Sequence, residues 1–263
     1  CRNSELEVDC TRTAQTEANI RSRIDLAVAE TNSAFELSGV NAQLYLVHAY
    51  RTEFEENRDD AFGGVLGDLR SSEEARNKRE EYGADVVAMI IEGRQFCGIA
   101  YVGPNKGNMF SVTSWNCATG YYSFGHEIAH NLGCNHDKGT KNSCSSSSYN
   151  YGYRDPNANF RSILAYNCRT GQCDNISNAG CPRVKRFSNT YANYGSDDLP
   201  MGNSGANNAR QLNDKRVEVS NYYTRPPKEP TGSPTTSSPT TRPTDFPTKS
   251  PVIGGPPPCV SIQ

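Results

Sequence analysis

Three of the four histidines in this 263-residue chain fall within eleven residues, His126-Glu127-Ile128-Ala129-His130-Asn131-Leu132-Gly133-Cys134-Asn135-His136. Residues four apart share one face of an α-helix, so His126 and His130 can hold a metal ion together. Glu127 is offset from that face and can touch a water on the metal without ligating it. Gly133 takes positive φ at no steric cost, which lets the helix stop and the chain reverse. The reversal returns His136 as a third ligand. Three neutral imidazoles leave the +2 charge of a zinc ion uncompensated and a fourth position open for water, as in catalytic rather than structural sites. Cys134 sits on the turn, where a thiolate would close the site, so the open three-histidine set is the expected one. The bland alternative is three surface histidines on an ordinary helix.

Around this segment the sequence reads as an α/β domain. Apolar residues at Ile20, Ile24, Ala27, Val28 and Phe35 predict an amphipathic helix over 18–37, ended near Gly39. Leu44 to Tyr50, Val86 to Ile91, Cys97 to Val102 and Met109 to Trp115 read as strands, and 71–82 as an exposed helix with a serine N-cap. Beyond about residue 138 the chain is loop-rich. From Arg225 the composition changes: residues 225–258 hold eleven of the fifteen prolines, mixed with Thr and Ser. Such a stretch cannot bury enough surface to offset its ordering entropy, and it reads as a linker open to O-glycosylation. The expected organisation is a domain over 1–224, a linker over 225–258, and a tail or the start of a further module of the same precursor over 259–263.

Twenty-seven basic against 29 acidic residues give a net charge of −2, which removes nucleic acid as the default partner. No apolar run approaches the ~18 residues of a membrane span. The chain begins at Cys1, so it reads as a processed or excised piece of a longer precursor. Ten cysteines without a C-x-x-C pair, and the sequon Asn175-Ile176-Ser177, indicate disulfides and a secreted, extracellular protein. Cys1–Cys10 and Cys173–Cys181 are the easiest local pairs. Cys97 and Cys117 flank the two strands before the histidine helix, so a hairpin would join them. Cys134, Cys144 and Cys168 then leave one pair and one odd thiol, with Cys259 reserved for whatever follows.

The segment His126-Glu127-x-x-His130-x-x-Gly133-x-x-His136 resembles the zinc motif of the metzincin endopeptidases at every fixed position. Asp137 after His136, and Asn131-Leu132-Gly133, are similar to the reprolysin (adamalysin) branch. So are IDLAVAETNSAF, GADVVAMIIEG, CGIAYVG and FSVTSWNCATGYYSFGHEIAHNLG. The resemblance covers most of residues 10–215. It implies a metzincin-type zincin, with a twisted, mostly parallel sheet, a long zinc-motif helix and a loop-rich C-terminal subdomain. It implies one catalytic Zn2+ on His126, His130 and His136, Glu127 as general base, and a protein or peptide substrate. The substrate would run antiparallel along Gly98-Ile99-Ala100-Tyr101-Val102, which on sequence alone is equally an ordinary hairpin strand.

Two departures accompany the resemblance. Leu164, in Arg161-Ser162-Ile163-Leu164-Ala165-Tyr166, stands where metzincins place a methionine beneath the metal. Leu conserves the volume, so the hydrophobic floor is expected to remain. Tyr166 resembles the zinc-proximal tyrosine of the astacin and serralysin branches and could stabilise an oxyanion; it is equally a packed tyrosine. Residues 1–16 are too polar for a good first strand. Either Glu5 to Val8 supplies a poor one or the strand lies upstream, and the second case, the favoured one, would expose a central sheet edge. Two other functions compete: a catalytically impaired metzincin-like module that binds proteins through its cleft, and an adhesion module on a Pro/Thr stalk. The presence of Glu127 argues against the first, and the histidine spacing against the second.

Overall fold

The computed structural model describes residues 17–52, 54, 62–93, 95–169 and 180–224, and the backbone of 258–262. The first helix, α1 (Glu17–Leu37), buries Ile24, Ala27, Val28, Thr31, Ala34 and Phe35 at helical spacing. It stops at Gly39, whose φ of +68° lets the Val40 N–H fold back onto the Phe35 carbonyl. Next come β1 (Leu46–Arg51), α2 (Phe62–Ser71) and α3 (Glu73–Glu81), the last capped by the Ser72 hydroxyl accepting from the Ala75 N–H. Then follow β2 (Val86–Ile91), β3 (Gly98–Ala100), β4 (Phe110–Ser114), the single turn α4 (Trp115–Ala118), and α5 (Ser123–Asn131), which carries His126, Glu127 and His130. A two-stranded ribbon, β5 (Asn193–Tyr194) and β6 (Leu199–Pro200), precedes α6 (Asn208–Val219), and β7 (Pro258–Ile262) closes the described chain.

Every residue of β2 is buried, because helices cover both faces of the sheet. Val86, Ala88 and Ile90 pack into the cluster that includes α1 and Ile128 and Ala129 of α5. Val87, Met89 and Ile91 face Phe62, Val65, Leu66 and Leu69 of α2. Each large side chain so buried contributes roughly 1.5–3 kcal/mol of transfer free energy. Alternation therefore splits one continuous apolar run between two cores.

The main sheet has the order β1-β7-β2-β4-β3. Its pairings correct two expectations. The sheet is mixed rather than mostly parallel: β2–β4 is the parallel pair, while β1–β7, β7–β2 and β3–β4 are antiparallel. The zinc-motif helix is short rather than long, nine residues, because the chain must reverse at Gly133. The central edge expected to be exposed is covered: β7, from the segment read as a tail or further module, lies between β1 and β2. Glu5 to Val8 lie outside the described residues.

Residues 138–169 and 180–207 are held mostly by turns, isolated bridges and a satellite core of Tyr153, Phe160, Val184, Met201 and Ala206. α6 was not legible in this region. Asn207 caps it, its side chain accepting from the Arg210 N–H, and Ala209 and Leu212 reach the main core. No helix among the described residues is long and apolar enough to cross a membrane.

The expected Cys97–Cys117 bridge is present, with Cα atoms 5.3 Å apart. The Cys173–Cys181 expectation is overturned: Cys181 bonds Cys168. The reason is a bridge pairing Arg161 with Arg183, which brings the two flanking cysteines together despite the longer loop. Cys144 is also disulfide-bonded, and Cys134 is the buried free thiol. Cys1–Cys10 and Cys173 lie outside the described residues. Since Cys97–Cys117 closes a loop of 20 residues that contains β3 and β4, its replacement by paired alanines should cost about 3 kcal/mol in urea unfolding. An unchanged midpoint would show that the bridge does not constrain the unfolded chain.

Candidate metal centre and cleft

Each end of α5 is shaped by a residue in the left-handed region. Tyr122, at φ 62°, precedes the first turn, and Gly133, at φ +90°, follows the last. A Cβ at Gly133 would also lie 2.6 Å from Nε2 of Gln211, so a side chain there would displace the amide that caps this turn. The carbonyls that a helix end leaves unpaired find side-chain donors. Gln211 of α6 donates to the Leu132 carbonyl at 3.0 Å, and Asn150 to the Gly133 carbonyl at 2.7 Å. α6 thus fixes the reversal that returns His136.

The result brings the three histidines together. His126 Nε2 lies 3.1 Å from His130 Nε2 and 3.1 Å from His136 Nε2, and the third separation is 2.9 Å. His126 Nδ1–H donates to the Ile163 carbonyl at 2.8 Å, and His130 Nδ1–H to the Cys134 carbonyl at 2.7 Å. Those partners assign the tautomers and leave the Nε2 lone pairs of both rings facing one point. Burial holds His126 well below the usual imidazole range, His130 down to about 4 and His136 to about 3. Neutral, deprotonated and convergent nitrogens are what a metal requires, and tetrahedral ligands ~2.0–2.1 Å from zinc would sit about 3.3 Å apart. The residues present therefore fit one divalent ion. Among the described residues these three form the metal-capable group. Cys134 is not part of it; its thiol is in the core, held protonated by burial, and donates to the Asn208 carbonyl at 3.7 Å.

Glu127 is buried on α5 against the edge strand β3. A Cβ at Gly98 would stand 2.6 Å from Glu127 Oε1, so β3 can lie this close only because residue 98 has no side chain. Desolvation pushes the Glu127 carboxyl up to about 8. The three histidines, Glu127 and Gly98-Ile99-Ala100 line one cleft of about 460 Å³, with Tyr101 and Val102 following the strand.

Leu164 is fully buried in the main core, on the turn whose Ile163 carbonyl accepts from His126. Tyr166 lies on the other side of this turn with its ring centroid 4.4 Å from that of His136, lining the cleft and about half exposed. Burial, then Glu127, raises its phenol. Asp137 joins these parts. Its carboxylate accepts from the Thr140 N–H at 2.8 Å, from the Thr140 hydroxyl at 2.9 Å, from the Tyr166 N–H at 2.9 Å and from the Arg154 guanidinium.

Sequence reasoning missed the basic part of the lining. Arg161, Arg183 and Tyr121 line the same cleft, as does Arg169. They are scattered over the chain, and no spacing marks them.

Two expectations follow for the protein. In the metal-free form, the Glu127 carboxyl keeps its proton from pH 4.5 to about 8 while an unfolded glutamate loses it. Stability from this group is present below pH 4.5 and is lost as pH rises through 8. The stability of chelator-treated Glu127→Gln relative to wild type should thus grow over that window, by on the order of a few kcal/mol, and level off above it; a constant difference in urea unfolding would contradict the buried carboxyl. Leu164→Met should cost under ~1.5 kcal/mol, whereas Leu164→Asp should cost several kcal/mol by burying an unpaired charge. Thermal unfolding and metal retention under mild chelation separate the two.

Comparison with known proteins supplies the family. Residues 1–188 match the family model Reprolysin_5, metallo-peptidase family M12. A peptidyl-Asp metalloendopeptidase of Xanthomonas campestris is 34% identical over 212 residues, 77% of this chain and 47% of that protein. One from Stenotrophomonas maltophilia is likewise 34% identical over 212 residues, covering 77% of this chain and 48% of that protein. The chain thus spans about half the length of these relatives. The solved structure of a chaperone–substrate complex shares the fold, with a TM-score of 0.57 at 18% identity over 82% of this chain and 33% of that one. The chain belongs to metallo-peptidase family M12.

Proposed function

We propose that residues 1–224 are the catalytic domain of a secreted zinc endopeptidase of the reprolysin-like branch of the metzincins, with 225–258 as a Pro/Thr/Ser-rich linker. The observation that carries this reading is the juxtaposition in one cleft of three convergent imidazoles, a buried carboxylate beside them and the free edge of β3. His126, His130 and His136 would hold the ion. Bound zinc supplies Lewis acidity and lowers the pKa of its water to about 7.

The remaining chemistry belongs to the chain. Among the described residues β3 pairs with β4 on one side only, so its outer edge can take an extended peptide antiparallel to Gly98-Ile99-Ala100-Tyr101. That places the scissile carbonyl over Glu127. A dication beside Glu127 favours its carboxylate form, against the desolvation that otherwise raises it. As general base Glu127 takes the proton of the attacking water, and it then passes that proton to the leaving amine. The Tyr166 phenol, whose ring lies beside that of His136, would donate to the oxygen on which charge develops. Leu164 and its turn keep the floor apolar and hold His126 through the Ile163 carbonyl. From the names of the relatives we carry over a preference for aspartate in the substrate.

Digestion of an unfolded protein by the purified chain, with and without chelator, tests the proposal. Glu127→Gln should retain one zinc per chain and lose activity roughly 10³-fold or more. His130→Ala should lose the metal itself. A fully active Glu127→Gln would remove the carboxylate from the mechanism, and full zinc occupancy in His130→Ala would remove the ligand set.

A further inference from the structure

We propose that Arg183, seated on Tyr121, is the residue that recognises an acidic side chain of the peptide in the cleft. This deepens the endopeptidase reading and rests on it. Arg183 is half-buried and lines the cleft, yet no carboxylate lies within 4.0 Å of it among the described residues. Its Nη1–H donates to the Tyr121 carbonyl at 3.0 Å, and its guanidinium lies 4.2 Å over the Tyr121 ring. Its Nε–H is buried without a hydrogen-bond partner. A buried guanidinium in this state has donors to spare and lacks the anion that would repay its desolvation.

Arg161 differs. Its Nε–H donates to the Cys181 carbonyl at 3.1 Å, its Nη1–H to the Ala165 carbonyl at 2.7 Å, and its Nη2–H to the Tyr121 hydroxyl at 2.9 Å. It is a scaffold that fixes Tyr121 under Arg183. It also adds a second positive charge: burial first, then Arg161, pushes the Arg183 guanidinium down to about 10, still a cation at neutral pH. An arriving carboxylate relieves both penalties at once. The segment is preset for it, because the Cys168–Cys181 bridge ends two residues before Arg183, and Arg183 pairs with Arg161. Arg183 lines the same cleft as Glu127 and Tyr166, so the side chain it reads belongs to a peptide bound in that cleft. The chain as a whole carries a charge of −2, so this positive wall is a local feature and not a general attraction for anions. A planar fork over an aromatic ring suits a carboxylate, accepting in bidentate fashion, better than a lysine would.

Matched fluorogenic peptides, identical except for Asp, Asn or Lys at one position, test the assignment, with cleavage sites mapped by mass spectrometry. The zinc-loaded wild type should favour Asp over Asn by roughly 100-fold in kcat/KM, since a desolvated charge partner is left unpaired by the isostere. In Arg183→Gln that ratio should fall to within about five-fold, in Arg183→Lys it should fall partway, and Arg183→Glu should move the preference toward Lys. Wild type without an Asp preference, or an Asp preference that survives Arg183→Gln, overturns the assignment. Should the Arg183 variants fail to fold, fluorescence anisotropy of Asp and Asn peptides on zinc-loaded Glu127→Gln, with Arg183 intact, decides the matter: tighter binding of the Asp peptide supports the assignment and equal affinities overturn it. Cleavage without preference defeats Arg183 alone. Selective binding with no cleavage by wild type defeats the endopeptidase reading and leaves Arg183 standing.

Discussion

Three imidazole Nε2 atoms lie 2.9–3.1 Å apart, two of them with their lone pairs turned to the same point, and the rest of this structure is arranged to hold them there. Two rings are fixed by Nδ1–H bonds to the carbonyls of Ile163 and Cys134. Those carbonyls come from a turn 37 residues downstream and from the reversal after α5. The reversal depends on the positive φ of Gly133 and on Gln211 and Asn150, which satisfy the carbonyls it exposes. Removing the imidazoles from water lowers their proton affinity, so the same burial that makes the cluster costly keeps it ready for a metal. Leu164, next to the Ile163 whose carbonyl accepts from His126, is itself fully buried in the main core.

What the sequence made legible is what short-range spacing encodes. The eleven-residue histidine segment specified helix, turn and ligand set, and the structure brings all three rings together. α1 and β2 were visible because their apolar periods match their surroundings. α2 was not, because Gly63, Gly64 and Gly67 lower its helix propensity, and only the burial of Phe62, Val65, Leu66 and Leu69 against the sheet sustains it. α6 was hidden by its polarity. The strand directions were misjudged because β7 inserts antiparallel between β1 and β2, a pairing across most of the chain that no local pattern records. Cys168–Cys181 escaped for the same reason, since tertiary pairing of Arg161 with Arg183 outranked loop length.

Charge in the cleft is divided by function. One side holds neutral ligands and a carboxyl whose proton affinity is raised by burial. The other holds guanidiniums with no acidic partner among the described residues, stacked on Tyr121. Neither arrangement is the most stable use of these residues. Each leaves a desolvation cost that a bound partner would offset, which is how sites differ from cores.

Asp137 carries a further implication. Its one carboxylate accepts from the Tyr166 N–H, from Thr140 and from Arg154, while its own backbone follows directly from His136. The backbone of Tyr166 and the turn that carries His136 are therefore tied to the same buried anion. They behave as one mechanical unit: a shift of the Tyr166 backbone reaches His136 through one hydrogen bond and the peptide link from Asp137, and a displacement of His136 returns along the same path. The energetic effects of altering the two residues will not add, and the shortfall measures how stiffly Asp137 links the histidine cluster to the Tyr166 wall of the cleft.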